Sequence, residues 1–273
     1  MSKAGKSEDM FRSQSGYYTE FRKPYPERIF DLIRENFRAD PKDVLLDVGC
    51  GTGQIALQLS RDFDRVVGVD LSQEMVVAAR RNAAELGIDN AEFRAMRGED
   101  ISSLAVEFGL VTYGSALHWM DIPTTLAASY GLLSEGGGVA VLGMRSIWGG
   151  DSNWELAVVR VVQKWMGQDR RAGETTFSAS TQADVRFEDA LADAGFEVFD
   201  SGSVEASYTV DVDFIIGHLY STSYCNRELL ADRVGEFEQE LVAALLENSA
   251  DGSFLWSPGT SYIFARKARQ GVS

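Results

Sequence analysis

Three glycines at alternate positions, Gly49, Gly51 and Gly53, constrain this chain more than any other feature. Leu45, Leu46 and Val48 precede them as a short apolar strand, and Ile55, Ala56, Leu57 and Leu59 follow as the buried side of a helix. A turn this tight calls for backbone conformations that glycine adopts without steric cost. Its amides would sit at a helix N-terminus, where they favour a carboxylate or a phosphate. A dinucleotide-binding turn needs Gly-x-Gly-x-x-Gly. Gln54 stands where that pattern requires its last glycine, so the pyrophosphate reading fails.

Strands and helices alternate downstream. Arg65 to Asp70 reads as a second strand ending in an acid, and Ser72 caps a helix that carries Glu74 in its first turn. Ala91 to Met96 and Phe108 to Ser115 read as the third and fourth strands. A helix from Ile122 to Leu133 ends at Gly136-Gly137-Gly138, before a fifth strand from Val139 to Met144. Such alternation predicts a parallel sheet covered by helices on both faces, with ligands at the carboxyl ends of its strands. Upstream, Phe11 to Phe37 reads as helix broken around Pro24 and Pro26. Downstream come a helix from Trp154 to Met166, another from Ala183 to Ala194, one strand from Phe196 to Val210, mostly helix from Asp211 to Asn248, and a last strand from Thr260 to Ala268.

The bulk composition suits one α/β domain with insertions: 273 residues, 45% hydrophobic. No apolar run is long enough to cross a membrane as a helix. Met1 to Met10 lacks the apolar centre of a signal peptide and is expected to be disordered, and residues 269–273 are expected to form a tail outside the domain. The two cysteines, Cys50 and Cys225, make no disulfide framework, so a cytoplasmic protein is expected. The two histidines are far apart and no Cys/His cluster has zinc spacing, so no metal is expected. The net charge of −15 is uneven: twelve acids lie between Phe196 and Ser257, opposed by Arg227 and Arg233 alone. That field opposes nucleic acid and anionic membrane surfaces and favours a cationic small molecule. A solvated helix face is the plainer account of many of these acids.

The ordered set Asp47-x-Gly49-x-Gly51-x-Gly53, Asp70, Gly98-Glu99-Asp100 and Ser115-Ala116-Leu117-His118-Trp119 resembles the motifs of class I S-adenosylmethionine-dependent methyltransferases. The resemblance covers Tyr17 to Met144 well and the remainder loosely. It implies a doubly wound, mostly parallel, seven-stranded Rossmann-like sheet with a mainly helical cap, inserted at about 145–181 and 211–258 of a single domain spanning 11–268. It also implies S-adenosylmethionine as cofactor, S-adenosylhomocysteine as product and no metal. Gly49, Gly51 and Gln54 would meet the methionine portion, Asp70 the ribose, Leu71 and Met75 the adenine faces, and Gly98, Glu99 and Asp100 the adenine edge. Ser115 would also contact the cofactor, and Asp47 would brace the loop. A strand-end acid capping a turn is the bland alternative for Asp70.

Tyr17 to Pro26 resembles a Tyr…Arg-Pro-x-Tyr-Pro element of a subgroup that also has the His-Trp pair, although Lys23 replaces its first proline. By that resemblance Tyr18 and Arg22 approach the cofactor carboxylate, and Tyr17 the acceptor. His118 is the candidate catalytic base, because imidazole titrates near neutrality, and Trp119 a wall of the acceptor pocket. The alternative for His118 is a hydrogen bond to backbone. Asp213, Gly217, Ser221 and Tyr224 recur at helical intervals, as do Asp211, Ile215 and His218; of these Asp211, Asp213, His218 and Tyr224 are candidate acceptor-binding residues, with helix capping the alternative for the two acids. The expected reaction is N-methylation of a cationic amino sugar, of the aminoglycoside-antibiotic kind. O-methylation of a neutral sugar or carboxylic acid is the alternative, and a non-catalytic cofactor-binding protein a further one. Oligomeric state is not readable from the sequence.

Overall fold

The computed structural model describes residues 15–37, 43–167, 170–172, 175–177, 186–225 and 227–267. Expectations for residues 1–10, for the tail and for the start of the helix at 183 lie outside them. In chain order the elements are α1 (Ser15–Phe21), α2 (Glu27–Asn36), β1 (Val44–Val48), α3 (Gln54–Leu59), β2 (Arg65–Asp70), α4 (Gln73–Leu86), β3 (Ala91–Ala95), β4 (Phe108–Gly114), α5 (Ile122–Leu132), β5 (Leu133–Met144) and α6 (Asn153–Met166). The short strands β6 (Arg170–Ala172) and β7 (Thr175–Phe177) follow, then α7 (Phe187–Asp193), β8 (Phe196–Val204), β9 (Tyr208–Asp211), α8 (Val212–Tyr220), α9 (Arg227–Leu230), α10 (Val234–Leu246), β10 (Ser253–Trp256) and β11 (Thr260–Lys267).

These elements fall into two compact units. The sheet unit runs from Pro24 to Met144 and adds Val185–Val204 and Thr260–Ser273. Its seven strands take the order β3-β2-β1-β4-β5-β11-β8. All neighbours pair in parallel except β11, which is antiparallel to both β5 and β8. This is the Rossmann-like methyltransferase sheet. Alternate residues feed two cores, Leu45, Val66 and Leu110 on one face and Leu46, Val67 and Val111 on the other. Burial on both faces is why these strands read as continuous apolar runs. Strand order reverses between β1 and β4, so the turns after those strands flank the switch point.

The second unit gathers residues up to Lys23, Arg145–Asp184 and Glu205–Gly259. Most of both segments expected as insertions into a single domain therefore pack as a unit with a core of their own, built on Ile147, Trp154, Val158, Ile215, Phe237 and Trp256. Two expectations about the strands need correction. The single strand from Phe196 to Val210 is two strands in different sheets: β8 pairs with β11, and β9 pairs with β10, a strand the sequence did not suggest. The fifth strand begins at Leu133 rather than Val139, and its glycines fall at an irregularity in the pairing with β4. Among the described residues no helix is long and apolar enough to cross a membrane.

Leu46 is wholly buried on β1, whereas Leu255 on β10 is 68% exposed. Leu46→Ala should cost about 2–5 kcal/mol of stability, and Leu255→Ala less than about 0.5 kcal/mol. Urea midpoints measure both, and equal small effects would contradict the interior position of β1.

Candidate functional site

The turn after β1 uses left-handed backbone at all three glycines, with φ of 70° at Gly49, 54° at Gly51 and 87° at Gly53. A Cβ at Gly49 would collide with the Cβ of Ala116, so the turns after β1 and β4 touch through bare backbone. Four amides of this turn are already engaged. Gly49 and Cys50 both donate to the Val69 carbonyl, at 2.8 and 3.0 Å, and Gly53 donates to the Cys50 carbonyl at 2.9 Å. Gly51 donates to Asp70 Oδ2 at 2.8 Å. A buried amide takes the first acceptor its fold supplies, and β2 supplies Val69 and Asp70 alongside. The turn is thus fixed in shape by its own hydrogen bonds.

Asp70 ends β2 with a half-buried side chain, and its second oxygen accepts the Ser72 amide at 2.8 Å. Burial raises its pKa, and the two amide bonds oppose the rise. Asp47 is 1% exposed and accepts from Ala56 N–H at 3.2 Å and Thr112 Oγ1 at 2.8 Å, which ties β1 to α3 and β4. Burial pushes its carboxyl up to about 7. The buried Cys50 thiol is also driven well up, by burial and then by Asp70 and Asp47, so it stays protonated, as a space-filling side chain would. Gln54 and Leu71 are half-buried beside the turn, and Met75 is buried in the first turn of α4.

After β3, Gly98 is buried, where a side chain would strike Met120. Glu99 accepts the Asp121 amide at 2.9 Å and lies 3.4 Å from Arg97 Nε, so its carboxylate fastens the segment that follows β4. Asp100 is exposed. Past β4, Ser115 holds a φ of 52°, a conformation costly for any residue with a side chain. Its Oγ meets the Tyr25 hydroxyl at 3.2 Å and accepts the Met144 amide at 3.3 Å. Sequence reading placed Tyr25 only within an upstream element, and nothing in the local sequence signals positive φ at a serine. His118 and Trp119 follow in one short turn, both half-buried, with ring centroids 5.4 Å apart.

The other candidates belong to the second unit. Arg22 donates to Ser221 Oγ at 2.9 Å and to the Ser221 carbonyl at 3.2 Å, and its guanidinium lies over the Tyr18 ring at 5.2 Å. The Tyr17 hydroxyl accepts from Arg227 at 3.4 Å. Asp211 and Asp213 are exposed, and Asp211 caps α8 by accepting the Phe214 amide at 2.7 Å. Asp211 thus takes the capping role that was its alternative, because α8 begins at Val212 and its first amides need an acceptor, and Asp213 stands in the first turn of the helix. His218 and Tyr224 are buried, the latter edge-on to Trp148 at 5.2 Å. Among the described residues no group of three or more His, Cys, Asp or Glu side chains gathers as metal ligands would.

Comparison with known proteins agrees with this geometry. Residues 45–137 match a family described as a methyltransferase domain. A Dictyostelium discoideum protein described as a methyltransferase is 29% identical over 136 residues, 50% of this chain and 49% of that protein. Nocamycin O-methyltransferase of Saccharothrix syringae is 33% identical over 128 residues, 45% of this chain and 44% of that protein. The chain thus spans about half or less of the curated relatives it matches. A solved structure from Anaeromyxobacter dehalogenans, described as a type II methyltransferase, shares the fold with a TM-score of 0.62 and 20% identity, over 90% of this chain and 97% of that one. Residues 45–137 therefore resemble a methyltransferase domain.

The raised Asp47 carboxyl has a measurable consequence. Its unfolded value is 3.8 and its folded value about 7, so between these the native state holds a proton that the unfolded chain has lost. Stability should therefore fall as pH rises from about 4 to about 7. Asp47→Asn keeps an acceptor but cannot ionise. Urea midpoints of the two proteins at about pH 5 and about pH 8 should show the wild type losing ground to the variant. Parallel pH profiles would refute a protonated Asp47.

Proposed function

We propose that this chain transfers a methyl group from S-adenosylmethionine to a hydroxyl oxygen of a small molecule. The observation that carries the reading is the gathering of Gly49, Asp70 and Ser115 at the carboxyl ends of β1, β2 and β4, three neighbouring strands. The residues fit the cofactor. Gly49 presents backbone where a side chain cannot stand, and the half-buried Asp70 carboxylate suits the two donors of a ribose diol. Gly49, Gly51 and Gln54 would hold its methionine portion, and Leu71, Met75, Gly98, Glu99 and Asp100 its adenine. When bound, the cofactor supplies a methyl group on a sulfonium, so the protein's share is mainly alignment, worth roughly 7–11 kcal/mol when complete.

His118 is the group assigned to take the acceptor's proton. Its turn follows β4 directly, and Ala116 in the same segment abuts Gly49. Trp119 beside it would wall the acceptor. An oxygen acceptor is favoured over the cationic amine suggested by overall acidity, because several acids of that region already have partners within the chain. Asp211 caps a helix, Glu238 accepts the Tyr220 hydroxyl at 2.7 Å, and Glu240 pairs with Lys164 at 2.7 Å. The relative from Saccharothrix syringae, whose name states an O-methyltransferase, supports the same choice. The net charge of −15 opposes a nucleic-acid acceptor.

Incubation with labelled S-adenosylmethionine and a panel of phenols, neutral sugars, carboxylic acids and amino sugars, read by mass, should show transfer to oxygen. Transfer confined to amines would overturn the acceptor assignment. Asp70→Asn should weaken S-adenosylhomocysteine binding by about 1.5–3 kcal/mol in calorimetry, the worth of a charged hydrogen bond. Unchanged affinity would remove Asp70 from the site. His118→Ala should lower kcat by about a hundredfold or more while leaving cofactor affinity within about twofold, and full turnover would reduce the histidine to scaffold.

A further inference from the structure

Two buried side chains of the second unit carry polar atoms without partners. His218 is 1% exposed and Trp256 is wholly buried, and their rings meet edge to face with centroids 5.0 Å apart. Among the described residues neither His218 Nε2 nor Trp256 Nε1 has a hydrogen-bond partner. Buried polar groups left unpaired are costly and rare. Their roles are fixed by chemistry. His218 Nδ1 lies 3.1 Å from the Phe21 carbonyl, which can only accept, so the imidazole hydrogen sits on Nδ1 and Nε2 is a bare acceptor. Burial, reinforced by the Arg22 charge, lowers the His218 pKa to about 3 and keeps the ring neutral. The indole nitrogen is a donor only.

We propose that His218 Nε2 and Trp256 Nε1 form a two-point site for one hydroxyl group, which donates its hydrogen to the imidazole and accepts the indole hydrogen. An O–H group meets both demands on a single atom. An ammonium has no lone pair for the indole, and an ether or carboxylate has no hydrogen for the imidazole. Phe214, whose ring centroid is 5.7 Å from that of Trp256 and 5.8 Å from that of His218, gives the pair an apolar flank. The hydroxyl comes either from a resident water or from a small hydroxylated ligand of this unit, and neither source depends on the methyltransferase reading.

The test is nuclear magnetic resonance of the full chain labelled with ¹⁵N in histidine and tryptophan, with Trp256 assigned through Trp256→Phe. Long-range proton–nitrogen correlation should show His218 protonated on Nδ1 with a hydrogen-bonded Nε2, and the Trp256 indole proton should contact water. Phenol should displace that contact and shift both signals, whereas anisole and cyclohexylamine should not. That pattern assigns the site to a ligand hydroxyl. A water contact indifferent to phenol assigns it to a structural water and supports the same two-point geometry. His218 protonated on Nε2, or an indole proton that neither meets water nor responds to phenol, overturns the proposal. Where phenol responds, His218→Phe and Trp256→Phe should each weaken its binding about tenfold, and a variant that fails to fold leaves the wild-type spectra decisive. S-adenosylhomocysteine binding, measured by calorimetry on the same samples, separately tests the methyltransferase reading.

Discussion

The hydrogen bonds that close the turn after β1 are what the rest of the site depends on. The Val69 carbonyl takes two amides, Asp70 takes a third, and Asp47 reaches forward to Ala56 on α3. β1, β2 and α3 are thereby locked at one point, and the turn has no amide of Gly49, Cys50, Gly51 or Gly53 left to reorganise. A preorganised surface loses little entropy when it meets a ligand. What that surface offers is shape, a bare backbone face at Gly49 against Ala116, rather than a row of free donors.

The same bonds govern the local electrostatics. Burial pushes both carboxyls up, and the Asp70 charge adds a smaller push to Asp47. Asp70 differs in holding two backbone amides, which favour its ionised form, and in being only half-buried. Asp47 has one amide and one hydroxyl within a dry interior. The environments separate the two acids, Asp47 as a largely neutral brace and Asp70 as the one more able to carry charge, by the same physics that sets paired carboxylates apart in other sites.

Much of the sheet was legible because its strands are buried on both faces, which leaves apolar runs such as Val66 to Val69 bounded by polar or glycine turns. Glycine was less legible: in the run at 136–138 it reads as a stop, yet β5 carries these residues through an irregularity where no side chain has to be packed. The break between β8 and β9 has no strong turn signal, and only the pairing partners divide it. At the site, residue identities were readable and hydrogen-bond accounting was not. Knowing that Gly49 and Cys50 spend their amides on Val69 requires the neighbouring strand in place. Conversely, Asp211 carried its plain meaning in the sequence, an acid one residue before a helix.

The second unit shows why net charge was a poor guide to its chemistry. Its acids face solvent, cap helices or meet partners, as Glu240 meets Lys164 and Trp165. Its interior is aromatic, with Trp154, Phe237 and Trp256 buried, and its buried histidine is held neutral. A ligand inside such an interior would lose its hydration, so a charged group would suffer a large penalty there while a neutral hydroxyl needs only a donor and an acceptor. Selectivity in this unit then follows from which hydrogen-bond roles its few buried polar atoms leave open, a property fixed by the Phe21 carbonyl behind His218 rather than by the acidic surface.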